Sequence, residues 1–130
     1  MLKSKITIAL LIFLSIRAFC GMDIFEDIGS SIRSGDAQSI SKFFGNSVDL
    51  TIINKEEMYS KAQAEQMLKD FFSKNTPVSF AIIHKGVSKE GSKYAIGSLV
   101  TAQGTTYRTY FYIKQSGNNY YIQELRFMLE

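Results

Sequence analysis

The chain has 130 residues, which is the size of one globular domain with its own hydrophobic core. Its formal charge of +3 comes from the amino-terminal end, where Lys3, Lys5 and Arg17 are the only charged residues before Asp23. Bases and acids balance from Asp23 onward, so the composition excludes the strongly basic surfaces that bind nucleic acids or anionic membranes. With one histidine and one cysteine, the chain also excludes the common structural zinc sites, and we expect neither a metal nor a cofactor.

The amino-terminal segment is typical of an export signal. Lys3 and Lys5 precede an apolar run at 6–16, which is shorter than the roughly 20 residues that a membrane-spanning helix needs. We therefore predict a signal peptide at 1–20, a single domain at 21–130 and an exported protein, either periplasmic or extracellular.

The processing point is set by small residues. Ala18 and Cys20 lie two positions apart, which favours cleavage before Gly21. A lipoprotein with Cys20 acylated as its first residue is the main alternative, and an uncleaved anchor is the other. The membrane would then be reached only through the leader or through lipid on Cys20.

Two short helices are predicted at the start of the domain. Residues 23–34 carry apolar side chains at helical spacing, and Gly35 supplies a stop. Asp36 caps a second helix at 37–44. This pair suits a helical hairpin that closes one end of the core.

A strand pair and a longer helix follow. Residues 48–53 alternate as a strand, and 57–59 are expected to return as a brief second strand. Ser60 followed by Gln63 is the pattern of a capping box that begins the third helix. Its apolar stripe is formed by Ala64, Met67, Leu68, Phe71 and Phe72. We expect this helix to lie across a sheet.

Four long strands complete the chain, at 78–88, 94–103, 105–115 and 119–128. Short glycine-containing turns separate them, which predicts antiparallel hairpins. Strands of this length must twist and curl, so a curled antiparallel sheet with helices on one face, an α+β fold, is predicted.

The last strand changes phase. Tyr120 and Ile122 share one alternation, and Leu125 and Phe127 share the other. One extra residue near Gln123 or Glu124 would place both pairs on the core side, so we predict a β-bulge there. A flat strand with both faces half covered is the alternative.

This order of elements resembles the nuclear transport factor 2-like superfamily, a cone-shaped fold also called cystatin-like. More narrowly, residues 59–65, 69–72 and 123–126 look like a family of small exported bacterial proteins catalogued as a domain of unknown function. The resemblance implies about four long curled strands plus a short strand pair, with three helices on the concave face and a cavity open at one end. It implies no single function, because the cone hosts isomerases, dehydratases, hydrolases and binding modules, and it brings no catalytic residues.

Two residues are candidates for catalysis. His84 follows Val78, Phe80 and Ile82 by alternation, which would place it inside the cone as a general acid or base. The alternative is an inert histidine at the rim. Asp49 alternates with Val48 and Leu50 and should face away from them, either as a base or simply toward solvent.

Candidate binding residues lie on the last two long strands. Tyrosines cluster there, and Tyr110 and Tyr112 share the phase of bases, which predicts an outer face suited to a partner or a homodimer. Ordinary cross-strand packing is the alternative. Glu124 and Arg126 share a phase, which indicates a structural ion pair. The ligand-binding candidates are Tyr107, Phe111, Glu124 and Arg126.

The favoured reading of the sequence is a non-catalytic exported module that binds a protein partner or holds a small apolar ligand in the cone. The alternative is a small cone-fold enzyme of the isomerase, dehydratase or hydrolase type that uses His84 for proton transfer. An enzyme needs at least two polar groups that converge inside the cavity, whereas a binding module needs only apolar walls or a filled core.

Overall fold

The computed structural model describes residues 23–130, so the predicted signal peptide and Cys20 lie outside the described residues. Three helices and six strands follow one another along this part of the chain. In order they are α1 (Ile24–Arg33), α2 (Ala37–Ser41), β1 (Phe44–Ile52), β2 (Lys55–Ser60), α3 (Lys61–Lys74), β3 (Pro77–Val87), β4 (Lys93–Thr101), β5 (Thr106–Ser116) and β6 (Asn119–Leu129). None of the three helices is long and apolar enough to cross a membrane.

Each helix begins at a side chain that caps it. Asp23 accepts a hydrogen bond from the Glu26 amide at 2.9 Å, which satisfies one of the free N–H groups of the first turn. The predicted capping box of α3 is confirmed, because Ser60 Oγ and Gln63 Oε1 each accept from the other residue's amide at 3.2 Å. The local sequence therefore sets where these helices start.

The second helix is shorter than predicted, because it ends at Ser41 and Phe44 already belongs to β1. The carbonyl oxygen of Phe43 accepts a hydrogen bond from the Ile122 amide at 2.7 Å, and Phe44 is the cross-strand partner of Ile122. Pairing with a distant strand thus ends the helical pattern that the local sequence suggests.

All six strands form one curved sheet in the order β2-β1-β6-β5-β4-β3. Every neighbouring pair is antiparallel except β1 and β6, which run parallel. The α+β class with a curled sheet is as predicted, but the strand pair near residue 50 is not a separate unit, since β1 joins it to the long strands. The predicted brief strand at 57–59 is the edge strand β2, which is longer than expected.

The predicted bulge in the last strand is confirmed at Gln123. Tyr112 pairs with Glu124 and Ile113 pairs with Ile122, so Gln123 is the extra residue in β6. Its insertion places Ile122, Leu125 and Phe127 on the helix-facing side, where all three are fully buried.

The helix-facing side of the sheet is packed with side chains. Phe71 of α3 is the centre of an aromatic cluster, with ring centroids 4.8 Å from Phe127, 5.2 Å from Tyr107 and 5.5 Å from Phe72. The predicted helix therefore does lie across the sheet. Since Phe111 is fully buried as well, aromatic side chains occupy much of the space in which a cone-fold protein would hold a ligand.

Candidate functional site

The side of the sheet that faces away from the helices, which we call the outer face, carries most of the polar and aromatic residues that the sequence analysis singled out. Cross-strand register gives two adjacent rows of side chains across it. One row runs Met58, Asp49, Glu124, Tyr112 and Tyr94 from β2 to β4. The other runs Glu56, Thr51, Arg126, Tyr110, Ile96 and His84 from β2 to β3.

The predicted pairing of Glu124 with Arg126 is confirmed. Arg126 Nε lies 2.6 Å from Glu124 Oε1, although its N–H is not aimed well enough at that oxygen for a hydrogen bond. Arg126 Nη2 lies 3.6 Å from Glu56 Oε2, and the guanidinium carbon is 5.8 Å from the centre of the Tyr110 ring. One base thus connects two carboxylates and an aromatic ring at the middle of the outer face.

Asp49 faces away from Val48 and Leu50, as predicted, and is the cross-strand partner of Glu124. Its side chain is only partly exposed, and Oδ1 is buried without a hydrogen-bond partner among residues 23–130. Carboxylates placed opposite each other repel, so this pair lowers the stability of the sheet unless a cation is near.

Two depressions lie side by side on the outer face, and Asp49 lines one of them. The first has a volume of about 340 Å³ and is lined by Asp49, Met58, Tyr110, Tyr112, Gln123 and Glu124. The second has a volume of about 670 Å³, shares Met58 and Gln123 with the first, and is otherwise lined by neutral polar residues and Tyr121. Burial, and then the nearby Glu124 carboxylate, raises the pKa of the Tyr110 phenol, so this hydroxyl is a hydrogen-bond donor at neutral pH.

His84 does not lie inside the cone, which corrects the sequence prediction. A register shift at Ile83 makes Ile82 the partner of Gly97 but His84 the partner of Ile96, so His84 leaves the face that Phe80 and Ile82 share. It is exposed on the outer face, with Nε2 at 3.0 Å from the Tyr94 hydroxyl. Val78 also departs from the predicted core face, at a second irregularity in the same strand, and is exposed.

The remaining ligand-binding candidates lie in the core. Phe111 is fully buried and Tyr107 is 4% exposed. The Tyr107 hydroxyl donates a hydrogen bond of 2.7 Å to Asn75 Oδ1, which ties β5 to the end of α3. In this structure both residues act in packing, and a ligand would reach them only by displacing the aromatic cluster.

A third depression lies between α1 and β3, with a volume of about 460 Å³. Phe25, Phe80 and Ile82 contribute its apolar wall, and Arg33 closes one end by donating through Nε and Nη2 to the Phe80 carbonyl at 3.3 and 3.2 Å. Arg33 thereby covers part of an exposed sheet edge. His84, Glu26 and Lys85 also line this depression, but within residues 23–130 the side-chain hydrogen bond of His84 goes to Tyr94 and to neither of the other two.

The sequence analysis missed several residues of the outer face, among them Met58, Tyr94 and Gln123. Gln123 was considered only as the position of a bulge. The change of alternation in the last strand, which predicts that bulge, was also the feature of the sequence that could have indicated its place in the pocket lining. Met58 and Tyr94 carry no signal of their own, because their place depends on which strands pair. Nowhere in residues 23–130 do three histidine, cysteine or acidic side chains converge as ligands for a metal ion.

Comparison with known proteins identifies the family. Residues 25–128 match the model of a domain of unknown function, DUF4783. A DUF4783 family protein from Bacteroides uniformis is similar in structure, with a TM-score of 0.77 and 30% identity over 83% of this chain and 98% of that chain. One from Bacteroides ovatus has a TM-score of 0.77 and 28% identity, over 85% and 98% of the two chains.

More distant likeness concerns the fold alone. An NTF2-like protein of unknown function from Shewanella baltica has a TM-score of 0.63 at 9% identity, over 82% of this chain and 87% of that chain. No curated protein matches the chain significantly. Both resemblances stated from the sequence are confirmed: the chain belongs to the DUF4783 family, and its fold is NTF2-like.

Proposed function

We propose that this protein is an exported, non-catalytic interaction module whose outer face binds a second copy of the chain. The observation that carries the proposal is the split between the two sides of the sheet. The helix-facing side is packed with apolar side chains, whereas the outer face presents tyrosine, methionine and arginine. These residue types are enriched in the centres of protein interfaces, and tyrosine and arginine often supply most of their binding energy.

Charge distribution makes the outer face complementary to itself. Acids lie toward β2, β1 and β6, where Glu56, Asp49 and Glu124 are neighbours. Bases lie along β5, where Arg108 and Lys114 have the same orientation as Tyr110 and Tyr112. A two-fold axis through the face would bring the acids of one copy against the bases of the other, which is the requirement of an isologous dimer.

The two other readings of the sequence have less support. A small apolar ligand in the cone would have to displace Phe111 and the cluster around Phe71. An enzyme that uses His84 would have to work at the exposed edge strand, where Nε2 of His84 lies 3.0 Å from the Tyr94 hydroxyl. Glu26 and Lys85 line the adjoining depression with His84, but within residues 23–130 neither forms a hydrogen bond with it. His84 is exposed there, so its surroundings do not exclude water as a cavity used for proton transfer does.

Sedimentation velocity tests the dimer. We expect the wild-type protein to sediment as a dimer at micromolar concentration, and Ile96→Lys, at the centre of the outer face, to sediment as a monomer. Val87→Lys is the matched control, because Val87 is exposed but does not belong to the outer face. Val87 and its cross-strand partner Lys93 both lie on the opposite side of the sheet. A wild-type monomer up to about 100 μM would refute the proposal, since an interface of standard size gives far tighter binding. Equal effects of the two substitutions would also refute it.

Export is tested by mass spectrometry of the protein recovered after expression of the full chain in a bacterial host. We expect a mature protein that begins at Gly21. Detection of a lipid on Cys20 would show lipoprotein processing instead of cleavage before Gly21. A protein that is recovered from the cytoplasm with its leader intact would contradict export.

A further inference from the structure

One carboxylate of the outer face has no counter-charge within the domain. Asp49 and Glu124 are cross-strand partners, so two like charges lie side by side. Arg126 contacts Glu124 and Glu56, but in the part of the chain that is described no base forms an ion pair with Asp49. Oδ1 of Asp49 is also buried without a hydrogen-bond partner among residues 23–130, so the protein satisfies this carboxylate poorly. The accessible part of Asp49 lines the depression beside it, where a cation from outside the domain can offset the charge.

The space beside Asp49 has the lining that an organic cation needs. The depression of about 340 Å³, which we call the Asp49 pocket, places two carboxylates next to the aromatic side chains of Tyr110 and Tyr112. Carboxylates accept hydrogen bonds from N–H groups, and aromatic rings attract cations. Met58 and the Gln123 side chain complete the lining, with an apolar thioether for an alkyl stem and an amide oxygen as a further acceptor.

We propose that the Asp49 pocket binds a primary alkylammonium group. An ammonium carries three N–H donors, and the pocket offers the Asp49 and Glu124 carboxylates together with the neutral oxygen of Gln123. The alkyl chain then runs along Met58 and toward the larger depression of about 670 Å³, which is lined by neutral polar residues. A free amine and a lysine side chain share this chemistry.

A divalent metal ion fits the pocket less well. Calcium prefers six to eight oxygen ligands and magnesium a regular octahedron, whereas the pocket supplies two carboxylates, one of them already engaged by Arg126. Among the described side chains no cluster of three metal-binding groups exists. An organic cation needs fewer ligands and uses the aromatic lining as well.

The inference goes beyond the proposed function and does not depend on it. A monomeric protein whose pocket binds amines would refute the dimer and leave the pocket proposal standing. A dimeric protein whose pocket does not bind amines would refute the pocket proposal and leave the dimer proposal standing.

The test is an NMR titration of the full chain, ¹⁵N-labelled, in phosphate buffer, followed through the backbone amides of Asp49, Tyr112, Gln123 and Glu124. n-Butylammonium chloride is the probe, n-butanol is the uncharged probe of similar shape, and sodium chloride keeps the ionic strength constant. We expect saturable shifts with n-butylammonium alone. The peptide acetyl-Gly-Lys-Gly-amide distinguishes the two sources, because it binds if a lysine side chain can enter and does not if only a free amine fits. The same titration is repeated with Ile96→Gln. This substitution adds no charge and should expose the pocket if a dimer covers it in the wild type.

Two variants assign the binding to the carboxylates. Asp49→Asn and Glu124→Gln should each weaken n-butylammonium binding by about tenfold or more, which is the effect of losing a charge-assisted hydrogen bond. Glu90→Gln, in the exposed turn after β3, should leave it unchanged. The proposal is overturned if n-butanol shifts the same amides equally, if Ca²⁺ binds there more tightly than the amine, or if neither the wild type nor Ile96→Gln responds.

Discussion

Replacing Asp49 by asparagine should stabilise the folded protein. The substitution keeps the shape of the side chain but removes one of two like charges, since Glu124 is directly opposite. Like charges at such positions cost about 0.2–1 kcal/mol. The new amide N–H₂ can donate to Glu124, and a hydrogen bond to a charged group contributes about 1.5–3 kcal/mol before the loss of solvation at this partly exposed position is subtracted.

Together these contributions predict a gain of about 1 kcal/mol in the free energy of unfolding, because solvent at the partly exposed side chain weakens both of them. For a domain of about 100 residues, 1 kcal/mol corresponds to a rise of about 4–8 °C in Tm. Thermal melts followed by circular dichroism measure this gain. The buffer is phosphate, so that no amine competes for the proposed site in the Asp49 pocket. At about 1 M salt, where the Debye length falls to about 3 Å, the gain should shrink.

Asp70→Asn is the matched control, since it removes the same charge from an exposed carboxylate of α3. Asp70 Oδ2 lies 3.2 Å from Lys74 Nζ as a helical i,i+4 pair, so its loss should lower stability by no more than about 0.5 kcal/mol. The two substitutions therefore have opposite expected signs at equal net charge. Because the proposed dimer would place a base of the second copy near Asp49, both substitutions are compared in the Ile96→Gln background. A lower Tm for Asp49→Asn there would refute the reasoning, because it would mean that the carboxylate already has a favourable partner within its own chain.

Two further perturbations test the core and the hydrogen bond between α2 and α3. Phe71→Ala should destabilise the fold by about 3–5 kcal/mol, measured by urea unfolding. Phe71→Leu should destabilise it by clearly less, because leucine keeps most of the buried volume and loses only the aromatic contacts with Phe127 and Tyr107. Equal losses of stability in the two variants would contradict this. The hydrogen bond from the Ser41 hydroxyl, and then Lys69, lowers the pKa of Glu65 below its usual 4.5. Its stabilising contribution is therefore present above pH 4.5 and lost as the pH falls through the lowered value, so the Tm difference between wild type and Glu65→Gln should narrow in acid. A constant difference from pH 7 to pH 3 would show that Glu65 acts only through packing.

The sequence analysis succeeded where neighbours along the chain decide the structure. Ser60 and Gln63 cap each other within one helical turn, so their types and spacing were enough. The bulge at Gln123 was visible because apolar residues on both sides of it must reach the same core, and only one extra residue allows that. The orientation of Tyr110 and Tyr112 toward the outer face followed from alternation along a regular strand.

His84 and the Asp49 pocket could not be obtained in the same way. The bulge at Ile83 leaves no phase signal, because Ile82 and Ile83 are both apolar and the strand lies at the edge of the sheet. The meeting of Asp49 and Glu124 depends on the parallel pairing of β1 with β6, which no local pattern announces. The residues of the candidate pocket were thus partly identified, but their arrangement was not.

The single parallel pairing also has a consequence for the order of folding. The meander from β3 to β6 consists of hairpins between successive strands, which can close soon after they leave the ribosome or an export channel. Leu50 of β1 must instead wait for Leu125 of β6, which follows all the other described strands in the chain. The sheet therefore stays incomplete until β6 has been made, and loss of β6 should leave β1 and β2 without a partner.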